Sequence, residues 1–239
     1  LAWCIGWSLP GFFVPESFML RWAATSWPRT RFADIPGDLL STAVTAAAVA
    51  AVVFVVCAAS AVALRAGVRS RLAERAPWLF LLNYFLPSLV LALAFVMMSR
   101  DGSWLAERLG ALRATRLLVV VPAALRLMPF AMLPALDALR RTPPALIDAA
   151  RAFGAGALRA RAVAFAGHLR PALVLGAALV FLETVKELDL SLMLQPFGYS
   201  SLALKIYAFS RFQNMDRAAV WVLLSQALML LPLALLAWR

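Results

Sequence analysis

The chain has 239 residues, of which 64% are hydrophobic and 15% charged, and its mean hydropathy is +0.84. An ordinary soluble domain is about one-quarter charged, so this chain has too few charges to cover a water-facing surface, and a soluble globular enzyme is excluded. Disorder is excluded too, because disordered chains are poor in apolar residues. The net charge of +11, from 23 basic and 12 acidic residues, sits mainly between apolar stretches. That placement fits cytoplasmic loops of a membrane protein better than a nucleic-acid surface.

An all-α, multi-pass membrane protein is therefore expected. A bilayer core takes about 20 apolar residues of helix. In chain order, residues 1–20 form a first, weaker span interrupted by Pro10 and Pro15. Leu39 to Leu64 contains no charge at all, and Pro77 to Met98 follows between Arg75 and Arg100. Leu117 to Leu139 carries Arg126, Pro129 and Pro134; Pro171 to Leu194 carries Glu183, Lys186, Glu187 and Asp189 in its second half. Ala218 to Trp238 is the last. The expectation is a polytopic bundle of five to six transmembrane helices in a single domain over residues 1–239.

Loop charge orients this bundle. Arg65, Arg69, Arg71 and Arg75 lie in the second connection, and Arg140, Arg141, Arg151, Arg159, Arg161 and Arg170 in the fourth. Positively charged loops stay inside, which makes both cytoplasmic. Ala43, Ala47 and Ala51, and again Ala172 and Gly176, repeat every four residues. Such small-residue faces let membrane helices approach closely, although an alanine-rich chain also produces the spacing by chance. Cys4 and Cys57 lie in apolar runs, His168 is the sole histidine, and neither a disulfide framework nor a metal or cofactor site is expected. Residue 1 is Leu and no basic stretch precedes the first apolar run, so the chain is expected to begin inside a longer protein rather than at a signal peptide.

The fourth connection, residues 140–170, is long, basic and amphipathic. Pro143 and Pro144 suit a helix start, Ala145 to Phe153 would form a short helix, and Gly154 and Gly156 would stop it. A second short helix, Ala157 to Phe165, would lead to Pro171. Such a hairpin is a docking surface for a soluble partner or a basic loop resting on lipid headgroups.

This stretch resembles the cytoplasmic signature loop of permease subunits of binding-protein-dependent ABC importers, whose pattern is Glu-Ala-Ala, three residues, Gly, nine residues, Ile-x-Leu-Pro. Asp148, Ala149, Ala150 and Gly154 match its first part, with Asp for Glu, while Ala164, Ala166 and Gly167 replace Ile, Leu and Pro. A second stretch, Phe181 to Tyr207, is similar to the C-terminal half of ferric-iron-type permeases. Lys186, Glu187, Leu188, Pro196, Phe197, Leu202 and Ala203 match, whereas Asp189 replaces a usual Pro and Ser201 a usual Thr. Arg126 to Phe130 resembles an Arg-x-x-Pro-Phe stretch of the same proteins. The resemblance runs from about Leu39 onward, with Gly6 to Leu20 like the end of a first span. It implies the second half of a bacterial inner-membrane permease that imports a small solute, ferric iron or alternatively a phosphonate, thiamine or a polyamine. It also implies three partners: an ABC ATPase dimer docked at Asp148, Ala149, Ala150 and Gly154, a periplasmic solute-binding protein, and a second permease half.

The intramembrane charges can be read without the resemblance. Glu183, Lys186 and Glu187 would share one helix face. At about 1.5 Å per residue, Glu183 and Glu187 lie roughly 18 and 24 Å from Pro171, and Arg126 roughly 21 Å from Arg140. Arg126 is therefore expected to pair with Glu183 or Glu187. The charges then form a structural network or line the translocation path. Oxygen ligands for a hard cation could come from Glu183, Glu187, Asp189, Tyr199 and Tyr207, although the tyrosines also suit membrane interfaces. No phosphate-binding G-x-x-x-x-G-K-[ST] occurs, so ATP hydrolysis would belong to a partner and the chain is not expected to be an enzyme. The competing reading is an ion-coupled secondary transporter using Glu183, Lys186 and Glu187.

Overall fold

The computed structural model describes residues 2–30, 32–65, 81–99 and 114–237, and all regular structure among them is helical. Helix α1 is Ala2–Ser26, followed by a 3-10 turn at Trp27–Arg29. Then come α2 (Ile35–Arg65), α3 (Ser88–Ser99), α4 (Leu117–Leu127), α5 (Pro129–Arg141), α6 (Pro144–Ala152) and α7 (Ala157–Lys186). Helices α8 (Asp189–Leu194), α9 (Leu202–Arg211) and α10 (Met215–Ala237) complete the chain.

Three described stretches are long and apolar enough to cross a membrane: Ile35–Ala61, Leu117–Arg141 and Met215–Ala234. They coincide with the second, fourth and last predicted spans. The described residues are thus all-helical, and composition and the length of these helices make the chain a membrane protein.

Elsewhere the predicted boundaries change, with proline and polar side chains deciding where. Pro10 and Pro15 do not interrupt α1, nor does Pro171 interrupt α7, which runs for 30 residues where two helices were expected. A proline inside a helix forfeits one backbone hydrogen bond, and its ring crowds the carbonyl four residues earlier; for Pro171 that residue is Gly167. Membrane helices tolerate the loss where neighbours and local adjustment compensate. Pro87 has the opposite outcome. Residues 81–85 are helical, but the chain leaves the helix at Leu86 and resumes at Ser88. A residue before proline is pushed out of the helical region, so the predicted Pro77–Met98 span is divided. Its residues 77–80, the basic connections at 66–80 and 100–113, and residues 238–239 lie outside the described residues.

The main core lies where α2, α4, α5 and α7 meet. Val49, Val53 and Cys57 of α2 face Val119, Ala123 and Leu127 of α4, Ala131 and Ala135 of α5, and Leu173 and Val180 of α7. Leu190 and Leu194 of α8 extend it, and α8 packs on α3. A second cluster gathers Ala46, Val185, Leu202, Trp221 and Leu228, tying α9 and α10 to α2 and the end of α7. Helix α1 lies along α10 through Ala23, Ala219 and Val220.

Of the two small-residue faces, one closes a helix crossing. A Cβ added to Gly176 would stand 2.5 Å from Ala131 Cα and 2.7 Å from its Cβ, so α5 and α7 touch backbone to backbone there. The other is offset from the packing surface. Helix α2 buries Ala46, Val49, Ala50 and Val53 and leaves Ala47 and Ala51 exposed, because its valines fill the core better than alanines would.

Candidate functional site

Two features stand out: a helix break lined by charge in the interior, and a glycine-closed hairpin at the arginine-rich end of the bundle. Helix α7 runs unbroken to Lys186, whereas the 25-residue Leu117–Arg141 stretch is divided into two helices. The division falls at Met128, ahead of Pro129 and two residues after Arg126, which enters from the last turn of α4. Helix α7 ends at Lys186. Glu187 turns extended, its amide donating to the Thr184 carbonyl, and the chain restarts as the short α8 at Asp189.

The two irregularities are joined by an ion pair. Arg126 Nη1 donates to Glu187 Oε2, with side chains 21% and 8% exposed. The other Glu187 oxygen accepts the Leu190 amide at 3.4 Å, capping the first turn of α8. Arg126 also lies 5.9 Å from the centre of the Tyr84 ring, within cation–π range, and Tyr84 is edge-on to Phe130. Asp189 accepts the Ser88 hydroxyl at the start of α3. One carboxylate thus closes the break on α4 and the next closes it on α3. The Nε of Arg126 is buried without a hydrogen-bond partner.

Of the two predicted partners for Arg126, the structure selects Glu187. Glu183 pairs instead with Lys186, 2.8 Å away within α7, and both side chains are considerably more exposed. The shared helix face expected for Glu183, Lys186 and Glu187 does not exist, because the helix ends before Glu187. The suggested oxygen ligands also part company. Glu183 holds Lys186, Glu187 holds Arg126, Asp189 holds Ser88, and the Tyr199 hydroxyl reaches Thr45 at 3.4 Å. Among the described residues, no group of three or more His, Cys, Asp or Glu converges.

At the other end of the bundle from Arg140 and Arg141 lies a polar cluster that the sequence reading did not single out. Asp38, buried in the first turn of α2, accepts the Ser200 hydroxyl and faces Lys205 Nζ at 3.7 Å. One turn further, Thr42 accepts the Leu202 amide at 2.9 Å. Asp38, Thr42 and Thr45 recur at helical spacing on an otherwise apolar span, and that stripe was the available signal. They anchor the connection between α8 and α9, and Ser201 caps α9 by accepting the Leu204 amide at 3.3 Å. A cleft of about 400 Å³ opens beside it, lined by Tyr199, Lys205, Tyr207 and Arg211 among others.

The first arm of the hairpin follows its sequence expectation within a residue, whereas the expected second short helix is the start of α7. Pro143 precedes α6, whose exposed side carries Leu146, Asp148 and Ala149, with Ala150 half-buried. Gly154 has φ +82, the Gly154 amide returns to the Arg151 carbonyl at 2.9 Å, and the Ala155 amide returns to Ala150 at 3.1 Å. This pair of bonds is the Schellman closure, which needs a left-handed residue and so favours glycine. Phe153, at the tip, is 92% exposed. Gly156 then starts α7. The side chains of Arg161, Ala164, Ala166 and His168 lie outside the described residues.

No protein-family model matches the chain, and no curated protein matches it significantly in sequence.

Proposed function

We propose that this chain is one permease half of a bacterial inner-membrane ABC importer, with five to six spans, that moves a small solute across the membrane. The observation that carries the reading is the α6 hairpin. A short amphipathic helix, closed by a left-handed glycine and tipped by an exposed phenylalanine, projects at the arginine-rich end of the bundle. It stands where Asp148, Ala149, Ala150 and Gly154 carry the resemblance to the importers' signature loop. In this reading the arginine-rich end is cytoplasmic, as the positive-inside rule requires. A soluble ATPase dimer grips the hairpin, and its ATP-driven closure is transmitted through α7, which leaves the hairpin at Gly156 and ends at the Arg126–Glu187 pair. The second permease half completes the path, a periplasmic binding protein delivers the solute at the Asp38–Lys205 end, and ferric iron heads the candidate solutes.

A break in a spanning helix, flanked by paired charges, is also the arrangement that secondary transporters use at their binding sites. That observation sustains ion coupling as the second reading. Energisation separates the two. Uptake of ferric iron, and in parallel phosphonate, thiamine and spermidine, would be measured in cells overproducing the chain with its neighbouring subunits. The ABC reading predicts uptake that survives a protonophore while ATP is maintained and stops with vanadate. Uptake that collapses with the protonophore and ignores vanadate overturns it in favour of ion coupling.

A further inference from the structure

We propose that the groove between α2, α7 and α10 holds one anionic phospholipid, with its phosphate on Arg170 and an acyl chain along the apolar floor. The groove encloses about 560 Å³. Ala47 of α2 and Ala177 of α7 keep its floor low, Leu231 and Leu236 of α10 form a wall, and Phe181 and Arg170 are separated along α7. Arg170 and Phe181 are eleven positions apart, which is about 16 Å of helix. Half of a hydrocarbon core about 30 Å thick is the same length. The groove therefore matches one leaflet, with a cation at the headgroup end and hydrocarbon beyond.

The charge at that end selects the occupant. Arg170 is exposed, and its side chain has no ion pair or hydrogen bond among the described residues. A guanidinium left beside an apolar channel is costly against another hydrophobic helix but complementary to a phosphate, which it can hold through two N–H groups. Arg140 and Arg141 end α5, which packs on α7 outside the groove, Arg141 being paired with Asp137 at 2.8 Å, and basic recesses between membrane helices are recognised sites for anionic headgroups. The offset of Ala47 from the packing surface of α2 acquires a role, since Ala47 and Ala50 leave the room that a chain of methylenes fills. This inference does not depend on the transport reading.

The test is native mass spectrometry of the full chain, purified in detergent, delipidated, and offered equal dioleoyl phosphatidylglycerol and phosphatidylcholine. Wild type should retain one phosphatidylglycerol in preference to phosphatidylcholine. Arg170→Gln, at an exposed position that leaves the core intact, should lower that bound fraction at least about tenfold, as losing a two-point charge-assisted contact would. Ala177→Phe should fill the groove and reduce both lipids together, with its melting temperature recorded alongside. Undiminished phosphatidylglycerol in Arg170→Gln, or in a folded Ala177→Phe, overturns the proposal. So does an Ala47→Cys variant that forms a disulfide-linked dimer in intact membranes, because a protein chain would then occupy the groove.

Discussion

Replacing Glu187 with leucine would leave Arg126 as an unpaired cation in the interior. Removing one member of a buried ion pair costs about 3–5 kcal/mol, because the remaining charge keeps its desolvation penalty and loses its partner. Arg126 is 21% exposed and retains the Tyr84 ring, so the low end, about 3 kcal/mol, applies. Glu187→Leu also strips the Leu190 amide of its acceptor, adding about 1 kcal/mol. Arg126→Met leaves that cap in place but strands Glu187, whose side chain is only 8% exposed, so the two single variants should cost comparable amounts. For a chain of this length, 1 kcal/mol is about 2–4 °C in Tm. Each single variant should therefore lower Tm by about 6–16 °C. The double variant should lose far less than the sum, since two apolar side chains can occupy the site of a buried pair at little net cost. Thermal unfolding in detergent, followed by tryptophan fluorescence, reads all four corners of the cycle, and the Arg126→Glu, Glu187→Arg exchange should recover part of the loss. Additive losses, or single variants indistinguishable from wild type, would refute the pairing.

Other outcomes follow from equally local features. Gly176→Ala should destabilise by about 1–3 kcal/mol, and Ala131→Gly should not rescue it, because the closest clash is with the Ala131 backbone rather than its methyl; full rescue would contradict the crossing. Thr42→Val removes the acceptor of the Leu202 amide, so hydrogen exchange at Leu202 should accelerate, the lost bond being worth about 0.5–1.5 kcal/mol. Gly154→Val forces a branched residue into φ +82; membrane insertion and Tm should be nearly unchanged while solute uptake falls, and unaltered uptake would remove the hairpin from the mechanism.

The legible parts of this protein were those governed by short-range rules. The charge-free Leu39–Leu64 run, the Gly154 stop after α6 and the apolar Ala218–Trp238 stretch each follow from composition or from a single residue's backbone preference. Depth counting narrowed the partner of Arg126 to Glu183 or Glu187, because residues at similar depth on touching antiparallel helices meet when they share the contact face. It could not exclude Glu183, since that choice depends on α7 ending at Lys186. No local residue preference announces that ending; it is secured by carboxylates reaching Arg126, the Leu190 amide and Ser88, all tertiary contacts. Prolines illustrate the same limit. Pro87 divides a helix and Pro171 does not, although both offer the same ring and the same missing donor. Asp38 escaped notice because an acidic residue at a helix start is ordinary; its partners Ser200 and Lys205 are more than 160 positions away in the chain.

The claim that the α6 hairpin couples this chain to an ATPase is tested most directly at its tip. A photo-crosslinking residue in place of Phe153, activated in cells that contain the whole transporter, should attach the chain to the ATP-binding subunit, and Gly154→Val should abolish the product. Cross-links confined to lipid, or an ATP-binding subunit captured equally well with Gly154→Val, would contradict it.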